Sequence, residues 1–283
     1  MTARTDPALT VVTYNIHKGF SALNRRLVVH EIRERLHELA PDVVFLQEVQ
    51  GAHQRHSRRH VQWPQAAQHE FLAHEGGHTA YGRNAVYRDG HHGNAIVSRF
   101  PIVRRDSLPK VRFELNGTQQ SVKRGFLDVT VQVTPGYQLR CVGAHLKSKL
   151  PTPEGEALIR RHEAAKLRGQ LDAVLKAEPA VNLLCYGDFN DSKNQPMFTE
   201  ITGVRGTPSH MTDLPARDSH GDRWTHHWNV ADEYSRIDYL FASPGRLPEV
   251  KRDTATVYRS EFWETASDHR PVFVTILPVD KRR

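Results

Sequence analysis

The chain has 283 residues, of which 38% are hydrophobic and 25% are charged, a balance that excludes a disordered chain and fits a globular protein of one or two domains. Lys and Arg outnumber Asp and Glu by 39 to 32, which gives a formal net charge of +7. This charge is weak support for a polyanionic partner such as nucleic acid or an anionic lipid surface, because many basic proteins bind neither.

Strand-like apolar runs follow one another along the whole chain. The predicted strands cover residues 11–16, 42–46, 94–98, 126–133, 138–144, 181–186, 237–242, 254–258 and 271–277. Apolar residues at helical spacing predict two helices, over residues 25–39 and 156–177. The turn sequence Thr-Pro-Gly-Tyr at residues 134–137 forces an antiparallel hairpin, so a purely parallel doubly wound sheet is excluded.

The domain organisation follows from the even spread of these strands. No Gly/Ser/Pro-rich linker divides the chain, so we predict one α/β domain over residues 1–283. Residues 1–9 are expected to be a tail, and residues 51–92, which are rich in His, Arg and Gly, a long polar excursion.

Targeting signals are not visible in the sequence. The start, MTARTDPALTVVTYN, lacks the features of a secretory signal, and no apolar run reaches membrane-spanning length. Cys141 and Cys185 each lie within an apolar run, which predicts two buried, reduced thiols. We therefore expect a cytoplasmic protein without a membrane span or an obligate protein partner.

Polar residues stand at the ends of several separate apolar strands, where loops meet at one edge of a sheet. They are Asn15, Glu48, His145, Asp188, Asn190, Asp191, Asp238, Asp268 and His269. Taken singly, each has a structural explanation: the amides and acids form turns or caps, Glu48 is solvated, and His145 is a hydrogen-bonded structural residue. For any one of them this explanation is the better one.

Taken together, these residues indicate metal-assisted hydrolysis of phosphate esters. A hard cation such as Mg²⁺ or Mn²⁺ takes oxygen ligands, neutralises phosphate charge and helps to generate the attacking water. Imidazoles donate hydrogen bonds to the phosphate or transfer protons, and a carboxylate holds an imidazole in the right tautomer. Zinc is disfavoured, because the cysteines lie within strands and no HExxH or paired CxxC motif is present.

Motifs in order along the chain resemble those of the endonuclease/exonuclease/phosphatase superfamily, over about residues 10–276. They are TYNIHKG, DVVFLQEV, GNAIVSRFPI, the Arg-Gly of KRGFLDV, GAHLKS, YGDFND, RIDYLF and SDHRPV. The resemblance implies two mixed β-sheets packed face to face and flanked by helices, a four-layer αββα sandwich. It also implies a metal-dependent phosphodiesterase.

The resemblance assigns roles residue by residue. It places Glu48, Asn15 and Asp268 on the metal, and Asp188 and Asn190 at the nucleophilic water. It makes His269 and His145 the phosphate-binding imidazoles, with Asp238 behind His269, and it places Arg124 near the phosphate.

Two positions depart from the family pattern. His17 stands where repair-type members often have an acid, which implies that the metal depends more on Glu48 and water. No acid near His91 and His92 is evident as the partner that orients His145. Around the site, substrate contacts are predicted for Arg83, Asn84, His92, Asn94 and Lys147, and the alternative for this segment is a polar loop packed on itself.

Three functions remain open at this stage. The first is a nuclease that acts on DNA, favoured by the basic composition and by His145. The second is a phosphoesterase that acts on an anionic phospholipid or a small molecule, for which Phe262 and Trp263 are scattered apolar candidates. The third, a non-catalytic phosphate-binding module, is disfavoured because all eight core positions have a chemically competent residue, namely Asn15, Glu48, His145, Asp188, Asn190, Asp238, Asp268 and His269.

Overall fold

The computed structural model describes residues 8–23, 26–108, 112–122, 124–251 and 254–279. Helices in these ranges are α1 (Val29–Leu39), α2 (Gln54–Arg59), α3 (Gln68–Phe71), α4 (Glu156–Ala177), α5 (Pro196–Thr202) and α6 (Glu261–Ala266). Two short 3-10 turns cover His17–Gly19 and Leu247–Glu249.

The strands run through the same ranges. They are β1 (Leu9–Asn15), β2 (Val43–His53), β3 (His78–Tyr87), β4 (Gly90–Ser98), β5 (Ile102–Leu108), β6 (Arg112–Leu115), β7 (Thr118–Ser121), β8 (Phe126–Thr134), β9 (Tyr137–His145), β10 (Leu183–Asp188), β11 (Thr212–Asp213), β12 (His226–Trp228), β13 (Glu233–Ser235), β14 (Asp238–Ala242), β15 (Thr256–Val257) and β16 (Val272–Ile276).

Most of these strands belong to two mixed sheets of six strands each in the described ranges. The first sheet has the order β15-β16-β1-β2-β4-β3, and the second has the order β11-β14-β10-β9-β8-β5. In each sheet one central pair is parallel, β1 with β2 and β9 with β10, and the neighbouring pairs are antiparallel. The predicted hairpin is formed by β8 and β9.

Three apolar clusters hold the layers together. The central cluster lies between the sheets and includes Val11, Phe45 and Tyr186. A second cluster packs α4 and α5 on the second sheet, and a third packs α1 and α6 on the first. This arrangement confirms the predicted four-layer αββα sandwich, because each sheet buries one face on the other sheet and one face under helices.

The strand predictions were correct in position and shifted by a few residues at their ends. The main difference lies in residues 51–92, which contain the end of β2, the whole of β3 and the start of β4. These strands have many polar residues because much of β3 faces solvent, so apolar periodicity gave no signal there. Of the predicted tail, residues 1–7 lie outside the described ranges, and Leu9 begins β1.

Two further features concern the cysteines and the apolar character of the helices. Cys141 and Cys185 are buried free thiols, as predicted. No helix within the described ranges has the length and apolar character needed to cross a membrane.

Candidate active site

Three polar side chains lie side by side across the second sheet. In the strand register, Asp188 at the end of β10 pairs with His145 of β9 on one side and with Asp238 of β14 on the other. The glycine before Asp188 makes this row possible. Gly187 has a φ of +145°, and a Cβ atom there would lie 1.9 Å from the carbonyl oxygen of Ala144.

Asp188 is the centre of a buried hydrogen-bonded group. Its Oδ2 accepts a hydrogen bond of 3.1 Å from Asn15 Nδ2 and lies 3.3 Å from His145 Nε2. Its Oδ1 accepts from the backbone N–H of Asn190 at 2.9 Å, which holds the loop after β10 in place. Asn190 has a φ of 53°, a left-handed conformation that Asn tolerates better than most residues.

His269 is held by an acid on each of its ring nitrogens. Its Nδ1 lies 2.9 Å from Asp238 Oδ2, and its Nε2 lies 3.6 Å from Asp188 Oδ2. The backbone N–H of His269 donates to Ser267 Oγ, which in turn donates to the carbonyl of Asn15 at 2.8 Å. The chain before β16 is thereby fastened to the end of β1.

Glu48 enters the site from a bulge in β2. The register of β2 against β4 shifts between Leu46 and Val49, and Glu48 has a φ of 57°. Bulges and left-handed non-glycine residues concentrate at functional sites, because they redirect a side chain at a cost in strain. The Glu48 carboxylate meets the ammonium group of Lys18 at 3.1 Å.

Asp268 completes the acidic side of the site. Its Oδ1 lies 2.9 Å from Nδ1 of His17, the residue that departs from the family pattern, and its Oδ2 lies 3.9 Å from Nε2 of His226. Burial would raise the pKa of Asp268, but its hydrogen bond with His17 and the charge of His269 hold the pKa well below its usual value. Asp268 is therefore a carboxylate at neutral pH.

The imidazoles of the site are in different charge states. Burial lowers the pKa of His145 well below its usual value, and nearby Arg124 lowers it further, so His145 is neutral. For His269 burial also opposes charge, but Asp238 and Asp188 outweigh it and raise the pKa. The site therefore has a cationic imidazole, His269, and a neutral imidazole, His145, beside Asp188.

The acids of the site differ in the same way. Burial, reinforced by Asp238, raises the pKa of Asp188 above its usual value. Burial would also raise the pKa of Glu48, but the charges of Lys18 and Arg124 outweigh it and lower the pKa to about 2. Glu48 is the permanent anion, and Asp188 is the stronger proton acceptor.

The donor set fits a divalent cation of the magnesium type. Carboxylate oxygens of Glu48 and Asp268 and the amide of Asn15 are hard ligands, which Mg²⁺ and Mn²⁺ prefer. The ion pair between Lys18 and Glu48 places a positive charge beside this carboxylate. A bound divalent cation would supply charge neutralisation and activation of water.

A cavity of about 440 Å³ opens onto these side chains. Its lining includes Glu48, His145, Asp188, Asn190, Asp268 and His269. Its mouth is formed by the loop after β9, with Leu150, and by the β12–β13 hairpin, with Trp228. Leu150 is 72% exposed and Trp228 is 51% exposed, so apolar surface borders the polar floor.

The predicted substrate-contact residues Arg83, Asn84, His92, Asn94 and Lys147 are not among the described residues that line this cavity. Asn94 is buried and donates to the carbonyl of Arg124, and its backbone N–H donates to Asn84 Oδ1. His92 is buried and is close enough to Glu48 for that charge to raise its pKa, although burial dominates and lowers it to about 4. Arg83 is exposed on β3.

Lys147 and Arg124 each donate hydrogen bonds to backbone carbonyls. Lys147 Nζ donates to the carbonyls of Ser148 and Leu150, at 2.8 and 2.7 Å, and so stabilises the loop at the cavity mouth. The Arg124 guanidinium donates to the carbonyl of Leu146 at 3.0 Å. Asp191 pairs with buried Arg160 at 3.0 Å, so its role is structural.

Sequence reasoning did not identify Lys18 and His226 as parts of the site. Lys18 lies within the TYNIHKG motif, so its position in that motif was a usable signal. His226 gave none, because it lies in a short polar hairpin far from any apolar strand. Its ring lies 4.7 Å from the ring of His269, and burial lowers its pKa to about 4.

This architecture and donor set define a class, the phosphoester-hydrolysing enzymes built on two packed sheets. The model of the Endonuclease/Exonuclease/phosphatase family matches residues 12–269. The chain belongs to this family and is a hydrolytic phosphoesterase, and the resemblance seen in the sequence is confirmed. The family is generally dependent on divalent metals.

Three known proteins illustrate the likeness. The protein YbhP of Escherichia coli K12 is 38% identical over 272 residues, which cover 94% of this chain and 95% of YbhP. The catalytic domain of human Nocturnin, with bound sulfate, has a TM-score of 0.67 at 16% identity and covers 95% of this chain and 94% of its own. TDP2 of D. rerio, complexed with a single-strand DNA product, has a TM-score of 0.62 at 17% identity, with 95% and 99% covered. The two structures share the fold of this chain.

Proposed function

We propose that the protein is a Mg²⁺- or Mn²⁺-dependent phosphodiesterase that cleaves DNA, and that residues 1–283 form one catalytic domain. The observation that carries the proposal is the row of His145, Asp188 and Asp238 in strand register, with His269 held between the two acids. A neutral and a charged imidazole beside a carboxylate with a raised pKa match the needs of in-line attack by water on phosphorus.

The roles follow from the positions. Glu48, Asn15 and Asp268 would hold a divalent cation, which would supply neutralisation of the charge on the phosphate oxygens. Asp188, together with Asn190, orients the attacking water, and the raised pKa of Asp188 makes it a competent proton acceptor.

The remaining groups bind the phosphate. His269 donates a charge-assisted hydrogen bond to a phosphate oxygen, and Asp238 fixes its ring. His145 is a neutral donor on the other side, and Arg124 adds positive charge near it. Arg83, Asn84, His92, Asn94 and Lys147 are proposed to contact the substrate beyond the scissile phosphate.

DNA is favoured as substrate by two observations. The net charge of +7 suits a polyanion. The exposed ring of Trp228 at the cavity mouth offers a stacking surface for a base. One protein of the same fold, TDP2 of D. rerio, holds a single-strand DNA product.

A phospholipid or another apolar phosphoester is the second candidate. Leu150 and Trp228 border the cavity and are largely exposed, and an acyl chain could cover them as a base would. In that case the metal, water and phosphate groups would keep the same roles.

A panel of metals and substrates distinguishes these functions. Wild type and Glu48→Ala are assayed with Mg²⁺ and Mn²⁺ on plasmid, linear and single-stranded DNA, on RNA, and on vesicles of sphingomyelin or anionic phospholipid. We expect DNA cleavage by the wild type and a loss of roughly 100-fold or more in Glu48→Ala. Glu38→Ala removes an exposed acid of α1 and is the matched control.

Release of phosphate or headgroup from vesicles without DNA cleavage would establish the second candidate. Intact DNA, RNA and lipid in every metal condition would refute both. Equal activity in wild type and Glu48→Ala would contradict the proposed metal carboxylate.

A further inference from the structure

His226 extends the polar floor of the cavity beyond the residues used so far. It begins β12, forms an isolated β-bridge with His269, and lines the cavity with a side chain that is 20% exposed. Nitrogen and oxygen atoms of His226, Asp268 and His269 all lie within 4.8 Å of one another. Among the described residues, Glu48 is not a member of this group.

The distance between His226 and Asp268 fits two ligands of a common ion better than a direct hydrogen bond. His226 Nε2 and Asp268 Oδ2 are 3.9 Å apart, which is too far for a hydrogen bond. Two ligand atoms each about 2.1 Å from one ion are about 3.0 Å apart at a right angle and about 4.2 Å apart when opposite. The observed separation falls inside this range.

Each of the three side chains has a second partner on its far side. His226 Nδ1 lies 3.4 Å from Ser235 Oγ, and His269 Nδ1 lies 2.9 Å from Asp238. The second oxygen of Asp268 lies 2.9 Å from His17 Nδ1. Partners of this kind are typical of metal ligands, because they fix the tautomer and the orientation of the ring or carboxylate.

We propose that His226, Asp268 and His269 form a binding site for a first-row transition-metal ion such as Mn²⁺, Co²⁺ or Zn²⁺. Two imidazole nitrogens and one carboxylate suit these ions, whereas Mg²⁺ takes oxygen ligands almost exclusively. The inference rests on the proposed function in two respects, because Asp268 is shared with the proposed magnesium-type site and His269 with the proposed phosphate-binding group.

Because an imidazole that binds a metal must be neutral, an ion at this site would displace a proton from His269 and would replace the charge of the imidazolium beside the phosphate. A cation at His226 would add positive charge beside Asp268 and His269. Two metal ions on one bridging carboxylate are a common arrangement in phosphoesterases. The new element is the nitrogen-rich character that His226 gives to this side.

Binding of Co²⁺ tests the site without reference to activity. The full chain is stripped of metal with a chelator and saturated with Mg²⁺, so that the oxygen-ligand site is filled. Co²⁺ is then titrated while heat and visible absorption are recorded. We expect the wild type to bind one Co²⁺ despite the excess of Mg²⁺, and His226→Phe to bind it at least about 10-fold more weakly.

The next residue offers a matched control. His227 pairs with Asp232, its ring stacks on Tyr234 at 4.1 Å, and it is not a member of the proposed ligand group. His227→Phe is expected to bind Co²⁺ as the wild type does. His226→Gln, which keeps a polar side chain of similar length, serves as a second variant if His226→Phe fails to fold.

Equal Co²⁺ affinity in wild type and in the folded His226 variants would overturn the proposal, and His226 would then be a packing residue of the cavity wall. Glu48→Gln is expected to keep the Co²⁺ absorption, and its loss would show that there is no separate nitrogen site. Hydrolysis supported by Mg²⁺ is measured in parallel. Because it depends on Glu48 and not on Co²⁺ binding, the proposed function and this inference can fail independently.

Discussion

Buried acids at the floor of the cavity are each placed against a different partner. Asp238 is 1% exposed and faces His269, whereas Asp188 is 1% exposed and is shared between Asn15 and two imidazoles. A buried carboxylate is costly unless it is paired. The pairing explains why His269 is protonated although it is buried, since two acids stabilise its charge.

Asp238→Asn tests the orientation of His269. The amide cannot stabilise the imidazolium as a carboxylate does, and its N–H₂ group can turn toward Nδ1, so His269 loses both charge and tautomer. We expect the catalytic rate on a DNA substrate to fall by roughly 100-fold, with a smaller change in KM, as measured by steady-state kinetics.

The control for Asp238→Asn is another acid paired with a histidine. Asp232 lies 2.9 Å from His227 Nε2, but its side chain is 80% exposed. Asp232→Asn should leave the rate within about twofold of wild type, since exposed pairs contribute little. If the two substitutions reduce the rate equally, the special role of Asp238 is wrong.

At the scale of elements, a strained turn lies beside the metal-side acids. Three successive residues have left-handed backbone conformations: His17 (φ 44°), Lys18 (φ 59°) and Gly19 (φ 78°). Such conformations cost energy and persist only when the surroundings impose them. Here helix α3 stabilises the turn. The buried amide of Gln68 donates a hydrogen bond to the Lys18 carbonyl and accepts one from the backbone N–H of Gln50.

Gln68→Ala should release this turn. The substitution leaves the buried N–H of Gln50 and the carbonyl of Lys18 without their partner, so we expect the free energy of unfolding to fall by about 1 to 3 kcal/mol. Urea unfolding followed by circular dichroism measures the change. Metal affinity is expected to fall as well, because His17 and Lys18 no longer hold Asp268 and Glu48 in place.

Gln65→Ala is the matched control for Gln68→Ala. Gln65 lies three residues earlier in the same segment and is exposed. Its replacement should change the free energy of unfolding by no more than about 0.5 kcal/mol. If both substitutions change the free energy of unfolding equally, the hydrogen bonds of Gln68 do not stabilise the turn.

At the scale of the whole molecule, a glycine of the second sheet lies directly against an aromatic ring of the first sheet. A Cβ atom on Gly143 of β9 would lie 2.0 Å from the ring of Phe45 on β2. Glu48 follows Phe45 by three residues, and His145 follows Gly143 by two. The close approach therefore sets the distance between the metal-side acid and the phosphate-side imidazole.

Gly143→Ala should push the sheets apart at this point. Overpacking of a close-packed core costs about 1 to 3 kcal/mol, and the displacement of β9 from β2 should also lower activity by more than the stability loss explains. Thermal unfolding and kinetics on the same samples measure both effects.

Gly169→Ala provides the comparison. Gly169 is an exposed position within α4, where a Cβ atom would have nothing within 4 Å, so Ala should raise stability by about 0.5 to 1 kcal/mol. Unchanged activity and stability in Gly143→Ala would show that the sheets adjust without cost.

The sequence by itself predicted the buried strands, and its motifs indicated the layers and most of the residues of the candidate site through the family resemblance. Apolar strands strong enough to predict are those buried on both faces, such as β1, β10 and β14. The polar residues at their ends were predicted because each one lies next to an apolar strand in the sequence and must therefore lie at an end of that strand in the fold. The parallel pairs then bring those ends to one edge.

Only the tertiary structure decided which of these groups touch. Asn15 meets Asp188 across 173 positions of sequence, and His226 meets His269 through a bridge between a polar hairpin and the last strand. Gln68 reaches Lys18 from a segment whose strands are half exposed. Such contacts give no periodic signal in the sequence, because they join polar side chains that are far apart along the chain. They form only when the two sheets pack against each other.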